Sequence, residues 1–189
     1  MNRKGAYVLD RSYLRAQHLT LLEYWNGLEA GGGLPSRAAV NPLDLPRLLK
    51  NIGLVDVVQE VGGICRYRYR LVGTQLSHIA GADFTDRWLS DIKSGEYVAF
   101  LQGLYTECVD RKAPVFSRTT MQYSDDRKLE ADRLVLPLAT DGENVDMLLI
   151  STLFRSSSMT FGLKPFHSDD IVRMEESLRL AASVLDSTD

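Results

Sequence analysis

The residues able to do chemistry are few, and their spacing decides which could act together. The histidines are His18, His78 and His167. His167 stands beside Ser168-Asp169-Asp170, but neighbours along a chain rarely reach the geometry of nucleophile, base and orienting acid. The cysteines are Cys65 and Cys108, without the even spacing of a disulfide scaffold. No spacing of His, Cys, Asp and Glu suits a metal, so no metal ligands are expected. Arg66, Arg68 and Arg70 alternate with Cys65, Tyr67, Tyr69 and Leu71. A nucleic-acid platform puts aromatic and basic groups on one exposed face. Strict alternation puts them on opposite faces of a strand, so these arginines are expected to pair with acidic groups of a neighbouring element.

The elements that must position these groups follow from periodicity. Leu14, His18, Leu21, Leu22, Trp25 and Leu28 recur at helical spacing between about Asp10 and Ala30. Gly31-Gly32-Gly33 ends that helix; a phosphate-cradling glycine loop would instead follow a strand and open a helix. Pro42 opens a short helical turn through Leu48-Leu49. Ile52–Val58 is a strand apolar on both faces, as interior strands are. Val61-Gly62-Gly63 turns it into the alternating strand Cys65–Val72. Short helices are expected at Gln75–Ala80 and Asp86–Leu89. A longer one at Glu96–Val109 carries Tyr97, Val98, Leu101, Leu104, Tyr105 and Cys108 on one stripe. The strands Val115–Tyr123, Leu129–Leu138 and Val145–Phe154 then form an antiparallel meander. A final helix is expected after a Ser168-Asp169-Asp170 cap, with Ile171, Met174, Leu178, Ala181 and Leu185 as its stripe.

The 189 residues suit one domain, divided as a flanking helix over 1–33, a core over 34–155, and a loop and helix over 156–189. A 44% hydrophobic and 25% charged composition supports a packed core. The net charge of −3 argues against nucleic acid and anionic membranes. No apolar run is long enough for a membrane span, and no apolar stretch follows the basic Met1-Asn2-Arg3-Lys4 as it would in a signal peptide. The expected location is the cytoplasm. The fold class is α+β: a five-stranded antiparallel sheet, helices inserted between its second and third strands, and helices at both ends.

In order and spacing, several landmarks resemble a PAS domain, in particular an alphaproteobacterial PAS subfamily long catalogued as a domain of unknown function. They are Tyr24-Trp25, Leu34-Pro35-Ser36-Arg37, Pro42 with Leu48-Leu49, Leu54-Val55-Asp56-Val57, Tyr67–Thr74, Gly81–Leu89, Pro114-Val115, Leu134–Leu138 and Asp141-Gly142. The resemblance covers about His18 to Phe154. It implies sheet order 2-1-5-4-3 and a non-enzymatic, stand-alone sensory or protein-interaction module of bacterial signal transduction, acting through an unidentified signalling partner.

Against that background, Cys65-Arg66-Tyr67 is not the Asn-Cys-Arg-Phe box of flavin light sensors, because Ile64 precedes the cysteine and the segment reads as a strand. The long helix has no histidine for haem. Flavin and haem are therefore not expected. A hot-dog thioesterase, the enzyme alternative, would need a helix carboxylate or histidine, for which Glu107 is the candidate. A small apolar ligand would lie among Tyr67, Tyr69, Leu71, Tyr97, Leu101, Leu104, Met147 and Leu149, a set that would equally make a filled core. A homodimer is expected through Leu14, His18, Leu21, Leu22 and Trp25 of the first helix.

Overall fold

The computed structural model describes residues 7–28, 32–92, 95–156 and 171–184. Its elements are β1 (Tyr7–Val8), α1 (Ala16–Gly27), β2 (Ile52–Gln59), β3 (Cys65–Val72), α2 (Thr74–Ala80), α3 (Gly95–Arg111), β4 (Val115–Tyr123), β5 (Lys128–Leu138), β6 (Met147–Ser156), β7 (Ile171–Ala181) and β8 (Ser183–Val184), joined in places by short 3-10 turns. The fold is α+β, built on a six-stranded antiparallel sheet in the order β3-β2-β6-β5-β4-β7. The short β1 pairs separately with β8.

β2 and β6 occupy the interior of the sheet. Leu54 stands opposite Leu149 and Val55 opposite Leu148, and all four are buried. The β2–β3 hairpin turns through Gly62 and Gly63, whose φ values of 98° and 82° lie where a Cβ would be strained. The arginines of β3 face the acidic side chains of its partner strand and hairpin. Arg68 and Arg70 reach Asp56 at 2.9 and 3.3 Å, and Arg66 reaches Glu60 at 3.1 Å. Arg66 also lies 4.2 Å over the Trp88 ring. The segment expected to be helical at Asp86–Leu89 instead covers the outer edge of β3. Tyr69 donates its N–H to Arg87, and Arg68 bridges Trp88. Such cover blunts an otherwise open edge. The helical turn starts later, at Leu89–Asp91.

One face of the sheet carries α1. Trp25 Nε1 donates to the Pro137 carbonyl at 2.9 Å, and His18 packs edge-on to Phe116 at 5.9 Å between ring centroids. The other face carries α3. Cys108 donates its S–H to the Val135 carbonyl, and Tyr67 meets Thr106 at 3.0 Å.

The C-terminal helix is a correction. Ile171–Ala181 is a strand, paired along the whole of β4, so α1 alone of the two terminal elements covers a sheet face. The register with β4 shifts between Arg118 and Thr119 and again between Gln122 and Tyr123, skipping Ser177 and Val172 on β7. Each bulge adds one residue, so Ile171 and Met174 come to one face of a strand at a spacing of three, which in sequence looks helical. The open edge of β4 supplies the pairing that decides the outcome, because its backbone groups need partners. His167 and the Ser168-Asp169-Asp170 cap lie outside the described residues, as do Ala30, Gly31 and Leu185.

Candidate functional site

The α3 face of the sheet does not close completely. A cavity of about 90 Å³ lies between the sheet, α2 and α3. Tyr69 and Val72 of β3, Ile150, Thr152 and Phe154 of β6, and Met121 and Tyr123 of β4 form its sheet side. Leu76 and Ile79 of α2 and Tyr97, Leu101 and Tyr105 of α3 form its roof, and Ile171 of β7 closes its far end. The remaining polar feature is Arg133 of β5. Strand alternation accounts for its place: Asp132 and Arg133 are adjacent, so each must enter a different face.

Arg133 is 4% exposed. One guanidinium nitrogen donates to Thr119 Oγ1 at 2.6 Å, and another lies 3.4 Å from the Tyr97 hydroxyl. The group sits over the rings of Tyr97 and Phe100 at 5.6 and 5.4 Å. No carboxylate among the described residues forms an ion pair with it. Beside it, Tyr69 and Tyr105 share a hydrogen bond of 3.3 Å. Burial, and then the neighbouring phenols, pushes Tyr69 well above its usual value; burial does the same to Tyr105. Both hydroxyls therefore stay protonated and neutral, able to donate.

Of the expected pocket residues, Tyr69, Tyr97 and Leu101 line this cavity. Tyr67 and Leu104 are buried in the adjoining core, where burial pushes the Tyr67 phenol up to about 12. Leu71, Met147 and Leu149 do not share the cavity. A register shift at Leu54/Val55 skips Arg70, so Val72, not Leu71, follows Tyr69 on the α3 face. Leu71 and Leu149 instead line a groove of about 370 Å³ with Leu54, Val40 and Leu45. Met147 pairs with Leu138, one step out of phase with the cavity-lining Ile150. Arg133, Tyr105, Thr119 and Ile79 were not legible as site residues. The one signal was the pair Asp132-Arg133 inside an apolar strand.

The residues expected at a dimer interface are committed elsewhere. His18, Leu21 and Trp25 have no exposed surface, and Leu14 and Leu22 are also buried, all within the chain's own core. Among the described residues neither ring nitrogen of His18 makes a hydrogen bond of good geometry, although the Ser151 backbone lies close enough to favour its charged form. Burial holds its pKa down to about 4, against the pull of Asp132. Glu107, the enzyme candidate, is bound to Arg111 at 2.9 Å and Arg179 at 3.2 Å and does not line the cavity. Burial raises both thiols, Cys108 well above its usual value. No group of metal-ligating side chains and no helix long and apolar enough to cross a membrane occurs among the described residues.

Compared with known proteins, the sequence matches the family described as PAS domain over residues 15–151. No curated protein matches it, and no solved structure does.

Proposed function

The chain belongs to the PAS domain family, and from that premise we propose that it is a non-enzymatic sensory module of signal transduction which takes a small ligand into the cavity beneath α2 and α3. The observation that carries this reading is the cavity itself: apolar and aromatic walls with one buried cation, on the face of the sheet where three helical or edge elements meet. A ligand site is mostly apolar with few polar anchors, and this one fits that description. Occupancy would act on α2 and on β7, which contribute Ile79 and Ile171 to the wall. β7 leads directly into the β8 pairing with β1, so the ribbon formed by the two ends is the route by which a partner protein would feel the ligand. The hot-dog enzyme reading gains nothing, since Glu107 is neutralised by two arginines away from the cavity.

Native mass spectrometry of the purified chain tests this. The expected spectrum contains a species heavier than the 21.2 kDa chain by one small molecule, lost on denaturation and diminished in Ile79→Phe, whose larger ring intrudes on the cavity. A bare chain, with no thermal shift from a set of small acids, amides and alcohols, would remove the ligand and leave only an interaction role. The same spectrum reports whether two copies associate, and a homodimer would have to use surface other than the α1 stripe. We also propose that the purified protein carries neither flavin nor haem, which its visible absorbance checks.

A further inference from the structure

Buried and half-buried charges elsewhere among the described residues are matched. On the α1 face, Asp132 is fully buried between Arg15 at 2.7 Å and Arg118 at 2.6 Å. Between β7 and α3, Arg179 lies 5.5 Å from the Phe100 ring and is held by Glu176 at 2.7 Å and Glu107 at 3.2 Å. Arg133 shares Phe100 with Arg179, yet its neighbours are a hydroxyl, a phenol and two rings. A guanidinium out of water without a counter-charge is costly. Ring faces and hydroxyls offset part of that cost. Among the described residues they also leave some of its five N–H donors free, in the flat fork that fits a carboxylate with two parallel hydrogen bonds.

We propose that the cavity binds a small organic acid, its carboxylate held by Arg133 and its apolar part lodged between α2 and α3 against Ile79, Leu101 and Tyr105. This rests on the cavity being a ligand site, as proposed above, and adds the chemical class of the ligand. A single cation among the described lining residues calls for a monoacid rather than a diacid. The apolar walls call for a hydrocarbon or aromatic tail rather than a sugar or an inorganic anion. The modest volume, about 90 Å³, calls for a compact one. The neutral hydroxyls of Tyr69 and Tyr105 add donors without adding a competing anion.

The test uses the full chain at pH 7, with benzoate, phenylacetate and hexanoate against their amides and against inorganic phosphate, by titration calorimetry and thermal shift. At least one acid is expected to bind tenfold or more tightly than its own amide and than phosphate. Arg133→Met should lose that preference at least tenfold, Arg133→Lys should fall between, and Arg179→Gln should bind as the parent does. Should Arg133→Met fail to fold, Arg133→Lys and the acid–amide comparison in the parent chain still decide. Acids and amides binding alike, phosphate binding as well as the acids, or Arg133→Met keeping the preference would overturn the acid while leaving the cavity a ligand site. If no probe binds, the co-purified molecule decides: a retained acid supports the proposal and a retained neutral compound overturns it. No probe bound and nothing retained would end both readings.

Discussion

Two adjacent residues of β5 meet opposite fates. Asp132 enters the α1 face and finds two arginines; Arg133 enters the α3 face and finds no carboxylate among the described residues. Burial alone would raise the Asp132 carboxyl, but Arg118 and Arg15 outweigh it and hold the group below the usual carboxylate range. Leu21, Trp25 and Phe116 of the α1 face are fully buried. Around α1 it has the character of a structural layer, with its groove confined to the Leu54, Leu71 and Leu149 end. The α3 face keeps a void and a cation with no counter-charge among the described residues, a local inconsistency of the kind that proteins retain at functional sites. The same sheet therefore divides labour between a side that holds the fold and a side that can accept something.

That division can be broken or sharpened by substitution. The largest effect should come from the α1 side. Leu21→Ala should cost about 2–5 kcal/mol, as large-to-small changes in packed cores do, seen as a lower urea midpoint. Its mass by sedimentation should not change, because Leu21 has no surface to offer a second copy. A loss of dimer without loss of stability would reverse this assignment.

His18 gives the next effect, and its sign is fixed by the direction of its shift. The folded protein holds the ring neutral down to about pH 4, while the unfolded chain takes up a proton near 6.5. Stability is thus full above pH 6.5 and falls as pH drops from there towards 4. The loss should approach about 3 kcal/mol at its fullest. His18→Leu should flatten urea midpoints measured between pH 7 and 4.5; equal slopes in the two proteins would mean that the ring is not the source.

On the open side the sign inverts. Arg133→Met should raise ligand-free stability by roughly 1 kcal/mol, since an apolar side chain replaces a buried charge that has no counter-charge among the described residues. A strong destabilisation would make Arg133 structural and erase the contrast between the faces. The smallest effect belongs to Arg179→Gln. Its ion pairs are partly exposed, and their loss should cost under about 1 kcal/mol. A larger melting-point change than that of Arg133→Met would show that β7 depends on this pairing more than on its backbone ladder.

The sequence by itself determined a good deal. Two-sided apolar runs made β2 and β6 interior strands, because only a covered strand can be apolar on both faces. Alternation set the arginines of β3 against its tyrosines, and the three-and-four stripe of α1 announced a buried helix face. What it could not decide were matters of phase and partner. A single skipped residue, Arg70, turned Leu71 away from the cavity and brought Val72 into it. Two bulges in β7 let a helical spacing lie along a strand, and the open edge of β4 settled which it would be. The stripe of α1 reads alike whether it meets its own sheet or another copy, and only packing showed that the chain's own core takes Leu14, His18, Leu21, Leu22 and Trp25 and leaves Leu28 half-buried. Asp132 and Arg133 read as one ordinary pair of charges in a strand. That one meets counter-charges and the other meets none among the described residues depends on which side chains arrive from elements far away in sequence, which periodicity along a single strand does not contain.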